Sequence, residues 1–252
     1  MNNKDLFDFY VSEAEQPFSG WDFSYITDTG RMISEPLKWS YTSEILASIR
    51  KVSSLLDMGT GGGEYLSKLQ PFPPYTFATE GYEPNVPIAQ KRLEPLGVTV
   101  VQVKDDHHLP FDNEQFNLII NKHESYSVSE LYRILKPNSC FITQQVGGVD
   151  HMDLNAALGA NTDNGYAHWN AEYAIKELES AGFKIRKKLE QYPYTRFYDV
   201  GAIIYYLSAI PWQIPDFSVQ KYFDKLLQIH HEIEKKGYID FKEHRFFIIA
   251  EK

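Results

Sequence analysis

The chain reads as an α/β protein built on a mostly parallel sheet with helices on both faces, and three observations carry that reading. From Ser53 to Gln145, short apolar and β-branched runs alternate with stretches of helical periodicity, the alternation that parallel strands joined by crossover helices require. The first apolar run, Ser53 to Met58, passes directly into Gly59-Thr60-Gly61-Gly62-Gly63-Glu64. A strand ending in a glycine turn lets the backbone approach a ligand closely, because glycine carries no side chain to block it. Finally, 252 residues with 43% hydrophobic content are enough for one sizeable core.

Taken in order, residues 1–40 are rich in aromatics (Phe7, Phe9, Tyr10, Phe18, Trp21, Phe23, Tyr25, Trp39) and punctuated by Asp22, Asp28, Gly30 and Pro36. They predict a short helix followed by loops, either packed on the core or forming a lid in which Tyr10, Trp21, Tyr25 or Arg31 touches substrate. Ile45, Leu46 and Ile49 place a helix at about 41–50. A helix start is expected after Glu64, from Tyr65, Leu66 and Leu69, before a turn at Pro71, Pro73 and Pro74. A buried strand at 75–79 ends at Glu80, and a helix capped by Asn85 carries Ile88, Ala89 and Leu93. Strands follow at 98–103 and 116–121, a helix at 127–135 and a strand at 140–145. Residues 147–169 read as a loop insertion. A helix at 171–181, stopped by Gly182, precedes a strand at 183–189. Two helices then interrupt the rhythm between 197 and 237. The second, at about 218–236, has Val219, Tyr222, Phe223, Leu226, Leu227 and Ile233 as a packing stripe and ends at Gly237. Arg245–Ala250 is the last strand. The organisation is one domain: an aromatic cap (1–40), a core (41–195), a helical insertion (196–240) and a final strand (241–252).

Composition narrows the function classes. A net charge of −9 weighs against a nucleic-acid or anionic-membrane partner. Cys140 is the single cysteine, which leaves no internal disulfide and no multi-cysteine zinc site, and no metal is expected. The opening MNNKDLFDFY lacks the pattern of a signal peptide. The longest apolar run, residues 200–212, is too short for a bilayer at ~20 residues. These features predict a cytoplasmic protein.

The glycine loop fits neither common nucleotide fingerprint. Counting Gly-x-Gly-x-x-Gly from Gly59 puts Glu64 at the third glycine, and counting from Gly61 puts Leu66 there. The Gly-Lys-Ser/Thr ending of a phosphate loop is absent, and Glu64 beside the turn repels phosphate. What remains, Asp57-x-Gly59-x-Gly61-x-Gly63, resembles the first motif of class I S-adenosylmethionine-dependent methyltransferases. That cofactor has no phosphate and carries a sulfonium and an ammonium, so nearby carboxylates suit it.

Further stretches keep the same register. Glu80 closes the second strand 21 residues after Gly59, where an acid can accept from both ribose hydroxyls. Glu83 is its rival, but the family's second motif resembles an acid followed nine residues later by alanine, and Ala89 selects Glu80. Asp105 to Phe111 with Phe116-Asn117-Leu118-Ile119 is similar to the family's Asp-x-x-x-Leu-Pro-Phe and Phe-Asp-Leu-Val region, with Asn117 in place of aspartate. The resemblance implies that the Asp105 carboxylate meets the adenine amino group and the Asp106 amide the ring nitrogen. Glu130 to Asn138 resembles Glu-x-x-Arg-Val-Leu-Lys-Pro-Gly, with Asn138 in the left-handed glycine position. It also implies a Rossmann-like, doubly wound sheet of seven strands with the last antiparallel. Asp57, Gly59, Thr60, Gly61, Gly63, Glu80, Asp105, Asp106 and Asn121 are the expected cofactor residues.

Methyl transfer from a sulfonium is a direct displacement, needing alignment, exclusion of water and, for some acceptors, a base. His123 has a suitable pKa range and is the candidate base or pocket residue. Gln145, Gly148 and His151 are further candidates. Tyr10, Trp21, Tyr25, Glu124, Tyr126, Tyr206 and Trp212 are candidate pocket residues. The Asn/Asp-Pro-Pro-Tyr motif of amino-group methylases is absent, since the chain reads Asn121-Lys122-His123-Glu124. The expected acceptor is a small molecule. An alternative is an RNA base: the C-terminal half is loosely similar to ribosomal RNA guanine-N1 methyltransferases, but a chain with one cysteine cannot build their zinc module. A second alternative is a non-catalytic cofactor-binding module.

Overall fold

The computed structural model describes residues 2–252. In chain order its elements are α1 (Asn3–Ala14), α2 (Ser24–Thr27), β1 (Met32–Ser34), α3 (Tyr41–Ile49), β2 (Ser54–Met58), β3 (Tyr75–Glu80), α4 (Val86–Leu93), β4 (Val98–Gln102), β5 (Phe116–Lys122) and α5 (Val128–Ile134). There follow β6 (Leu135–Val146), α6 (Met152–Leu158), α7 (Ala171–Ser180), β7 (Lys184–Gln191), β8 (Tyr194–Phe197), α8 (Val200–Ala209), α9 (Val219–Lys236), β9 (Ile239–Lys242) and β10 (Arg245–Glu251). The chain divides into two compact units. A sheet unit comprises Lys38–Gly147, His168–Gln191 and Arg245–Lys252. A helical unit comprises the stretch up to Leu37, Gly148–Ala167 and Tyr192–His244.

The sheet unit holds seven strands in the order β4-β3-β2-β5-β6-β10-β7. β2, β3, β4, β5 and β6 pair in parallel, and β10 lies antiparallel between β6 and β7. This is the Rossmann-like sheet that the sequence predicts. Every residue of β2 is buried, as a central strand covered on both faces must be. Strand alternation sorts the apolar residues into two cores. Leu56, Ile119, Phe141 and Phe246 face α5 and α7 through Leu131, Ile134, Ala174 and Leu178. Leu55, Leu118, Ile142 and Phe247 face α3 and α4 through Ile45, Ile49, Ala89 and Leu93. Because β3 and β4 lie on one side of β2 and β5 and β6 on the other, strand order reverses between β2 and β5. That reversal is where an open α/β sheet forms a binding crevice at its carboxyl edge.

In the helical unit, α1, α6, α8 and α9 share one core that includes Leu6, Ile26, Leu154, Ile203, Leu226 and Ile233. The Arg31 guanidinium bridges Glu13 at 3.0 Å and Asp199 at 2.6 Å. Asp199 also caps α8, accepting from the Ala202 N–H at 2.9 Å. Among the described residues, no helix is long and apolar enough to cross a membrane.

Four local expectations are corrected. No α-helix follows the glycine loop; a single 3-10 turn, Leu66–Lys68, stands there, because Pro71, Pro73 and Pro74 remove the donors a longer helix needs. Asn85 makes no side-chain cap; it lies in the 3-10 turn Glu83–Asn85 with its own backbone already helical. Residues 147–169 are not loop throughout, since α6 forms there between left-handed His151 and Gly159 and buries Leu154 and Leu158. A second sheet, β1-β8-β9, joins the helical unit. Its strands, three or four residues long, are too short to show an alternation in sequence.

Candidate functional site

At the carboxyl ends of β2, β3, β4 and β5 the sheet unit opens a cleft of about 370 Å³. Met58 and Gly59 come from the end of β2, and Thr79, Gly81 and Glu83 from the end of β3. Gln102, Val103, Lys104 and Asp106 follow β4, and Glu124 and Ser125 follow β5.

The glycine loop is held in a left-handed course, with φ of 67° at Gly59, 62° at Gly61 and 80° at Gly63. The Thr60 N–H donates to the Thr79 carbonyl at 2.9 Å, which ties the loop to β3, and the Gly63 N–H donates to the Thr60 carbonyl at 3.0 Å. A Cβ on Gly63 would lie 2.7 Å from Leu93 Cγ, and one on Gly59 would lie 2.5 Å from Glu124 Oε2. Both positions therefore demand glycine for space as well as for backbone conformation. Arg92 from α4 reaches the Gly62 carbonyl and the Glu64 carboxylate, so the acid that repels phosphate is itself neutralised.

Carboxylates dominate the surroundings of the cleft. Glu80 is buried and accepts from the Tyr82 N–H at 2.7 Å. Burial raises its pKa, against the backbone N–H groups of Tyr82, Gly61 and Gly81, which favour the ionised form. Asp57 lies below the loop, 5% exposed, and burial pushes its carboxyl up to about 7. The nearby Lys122 favours its ionised form, although burial lowers the Lys122 pKa in turn. Glu124 has its pKa raised by burial, then by the charges of Asp106 and Glu80.

The two adjacent aspartates have separate environments. The exposed Asp105 carboxylate accepts from the His107 N–H at 2.8 Å and pairs with His108 Nδ1 at 2.8 Å. These contacts hold its pKa below the usual range, with His108 the larger cause. Asp106 lines the cleft and accepts from the Ser125 hydroxyl at 2.5 Å. Asn121 is fully buried, and its Oδ1 accepts from Thr143 at 3.1 Å and Gln145 at 2.6 Å. It braces β5 against β6.

The acceptor-side candidates divide between the two units. His123 has φ 63°, and its Nε2 lies 3.0 Å from Gln144 Nε2. The Trp39 indole N–H donates to Gln144 Oε1 at 2.9 Å, which orients that amide so that its NH2 donates to His123 and Nε2 accepts. Tyr126 is packed on Phe141 and Trp169 in the sheet core, and its buried hydroxyl has no hydrogen-bond partner among the described residues. The remaining candidates belong to the helical unit. Tyr10 is buried in its core. The Tyr25 hydroxyl donates to Glu13 at 3.1 Å. Trp21 and Trp212 stack at 5.8 Å, both exposed. Tyr206 meets His151, its hydroxyl 3.1 Å from Nδ1.

Residues 56–143 match the methyltransferase domain family. That match covers 88 of the 252 residues, all of them within the sheet unit. A protein-L-isoaspartate O-methyltransferase of Alcanivorax borkumensis is 35% identical over 75 residues, 30% of this chain. The chain spans about a third (34%) of that relative's length. In fold, the chain resembles a provisionally assigned methyltransferase from Bacillus halodurans C-125 (TM-score 0.59, 20% identity, 84% of this chain and 96% of that one). It also resembles a provisionally assigned sarcosine dimethylglycine methyltransferase from Galdieria sulphuraria (TM-score 0.54, 14% identity, 100% and 98%).

Several residues around the cleft escape sequence reasoning. Lys104 and Ser125 line it, and Lys122 stands over the Tyr65 ring at 4.7 Å near Asp57. Position at a strand's carboxyl end is the one signal they share. It marks every loop residue there equally.

Proposed function

We propose that the chain binds S-adenosylmethionine in this cleft and transfers its methyl group to a small-molecule acceptor by direct displacement. The observation that carries the reading is the cleft itself: a left-handed glycine loop at the switch point, with Glu83, Asp106 and Glu124 lining the cleft and the buried Glu80 bonded to the loop at the Gly61 N–H. The bound cofactor supplies the activated methyl group. The chain's residues bind and orient it. The positive φ angles at glycines 59, 61 and 63 set the course of the loop around it, and Gly59 lines the cleft with no side chain of its own. Glu80 is the proposed acceptor of ribose hydroxyl hydrogens, with its carboxylate already turned toward the loop by the Gly61 N–H. At the adenine end, the placement of Asp106 in the cleft favours it over Asp105, whose carboxylate is taken by His107 and His108. His123 is proposed as an acceptor-side residue positioned by Gln144, which suits orientation of a substrate better than proton removal at Nε2. The chain's net charge of −9 favours a small acceptor over RNA.

Isothermal titration tests the donor half. The wild type is expected to bind the cofactor or its demethylated product, and Gly61→Arg, which fills the loop, to bind neither. No binding by the wild type would overturn the reading. Incubating the protein with a metabolite extract and methyl-labelled cofactor tests the acceptor half. A labelled small product is expected, and label in RNA alone would overturn the small-molecule assignment.

A further inference from the structure

Glu124 is a half-buried cleft acid with few partners of its own. Its backbone is fixed from behind. The His123 N–H donates to the Gln144 carbonyl at 2.8 Å, and Gln145 Nε2 donates to the Glu124 carbonyl at 3.0 Å. Asn121 Nδ2 donates to the Ser125 carbonyl at 3.4 Å. The left-handed turn at His123, φ 63°, is where the chain reverses to bring the next side chain over the loop. That side chain comes to rest against Gly59, so closely that a Cβ there would lie 2.6 Å from Glu124 Cβ and 2.5 Å from Oε2.

Its partners are few. The Ser125 hydroxyl is 3.3 Å from Glu124 Oε1 but 2.5 Å from Asp106 Oδ2. A hydroxyl has one proton to donate, and the shorter contact to Asp106 takes it. The Ser125 backbone N–H remains for Glu124. By contrast, Glu80 is met by three backbone N–H groups. Lys104 lines the same cleft, yet no ion pair joins it to Glu124 among the described residues. Glu124 is thus a half-enclosed carboxylate facing a ligand cleft, without a cation and with little hydrogen bonding.

A sulfonium is the complementary group. It is a cation with no N–H or O–H to donate, so nearby unspent negative charge attracts it where ordinary hydrogen-bond geometry cannot. We propose that Glu124 makes the cleft discriminate between the charged methyl donor and its neutral demethylated product. This rests on the methyltransferase reading above. In the transfer, the acceptor's lone pair forms the new bond to the methyl carbon, the carbon–sulfur bond breaks, and its electron pair stays on sulfur. The sulfur becomes a neutral thioether; a neutral acceptor takes on the positive charge and then loses a proton, while an anionic acceptor becomes neutral. The attraction to Glu124 ends with that step, so the residue favours donor binding and product departure together.

The experiment is titration of wild type, Glu124→Gln and Glu124→Asp with S-adenosylmethionine and with S-adenosylhomocysteine, at one pH and one ionic strength. Both ligands carry the same adenosine, ammonium and carboxylate, and they differ in the sulfonium. The wild type is expected to prefer the charged ligand. Glu124→Gln is expected to lose that preference by about tenfold, through weaker binding of the charged ligand while the neutral one is little changed. Glu124→Asp, which keeps the charge, is expected to retain part of the preference. Equal weakening of both ligands in Glu124→Gln, or an unchanged ratio, would overturn the inference and assign Glu124 to the shared parts of the ligand. Failure of the wild type to bind either ligand would instead remove the methyltransferase reading.

Discussion

The burial of Asp57 makes a quantitative claim about stability that does not depend on any ligand. Its carboxyl moves from an ordinary value near 3.8 up to about 7, chiefly through burial beneath the glycine loop. Between these two values the unfolded chain has the group ionised while the folded chain holds it protonated. Unfolding then releases a proton, so stability falls as pH rises through this window and is flat above about 7. A shift of roughly three units at ~1.36 kcal/mol each sets an upper bound of about 4 kcal/mol. Relaxation of the site reduces the expected loss to about 2–4 kcal/mol.

Asp57→Asn keeps the shape and removes the titration. Urea denaturation of wild type and variant at pH 4.5, 6 and 7.5 isolates the effect, because the other titrations cancel in the difference. The two proteins are expected to differ by no more than about 1 kcal/mol at the lowest pH, where the unfolded carboxyl is already partly ionised. The variant should become the more stable by about 2–4 kcal/mol at the highest pH, from the same linkage. Parallel curves would refute the reasoning. So would a variant that is the less stable at pH 7.5, since that result means Asp57 is held ionised by Lys122 and burial is the weaker effect.

Two further substitutions examine the helical unit. Gly148→Ala drives a Cβ into the Tyr166 carbonyl and to 3.1 Å from the Ala167 nitrogen; backbone cannot yield as a flexible side chain does, so a loss of about 1–3 kcal/mol is expected in thermal or urea unfolding, and a loss too small to measure would refute the contact. Tyr206→Phe removes the hydroxyl 3.1 Å from Nδ1 of His151, which is 1% exposed; an expected cost of about 1–3 kcal/mol follows from leaving a buried polar atom with poorer partners, and unchanged stability would show that Asp150, 3.3 Å away, suffices alone.

What was legible in sequence follows from the range over which each feature is determined. The neighbours Leu55 and Leu56 feed opposite cores, and period-two alternation made the strands of the large sheet readable. The helix α9 was equally plain, because 18 residues display a full stripe. The small sheet β1-β8-β9 joins residues more than 150 positions apart, such as Met32 and Phe197, and nothing local announces it. The aspartate pair is more instructive. The family pattern selects Asp105, yet His107 and His108 lie within three residues and capture its carboxylate, which leaves Asp106 for the cleft. That turn was open to inspection in the sequence, since Asp side chains often bond to the backbone two residues on. The approach of Glu124 to Gly59 was not, because 64 residues and three strand-to-strand connections lie between them.

Charge, more than glycine count, separates this cleft from a dinucleotide site. Glycine turns at a switch point serve both kinds of ligand by the same steric logic. Around this turn stand Glu80, Glu83, Asp106 and Glu124, with Lys104 as the lysine of the lining and Arg92 committed to Glu64. Two unit charges ~5 Å apart at an effective dielectric of about 20 interact by roughly 3 kcal/mol. A pyrophosphate placed among these acids would meet that repulsion more than once, whereas a ligand with net positive charge would gain from it. The acids also repel one another, and the raised pKa of Glu124 beside Asp106 and Glu80 is the visible result. A cation entering the cleft relieves that repulsion. The same crowding that makes the apo cleft electrostatically uncomfortable therefore becomes selectivity for a cationic donor.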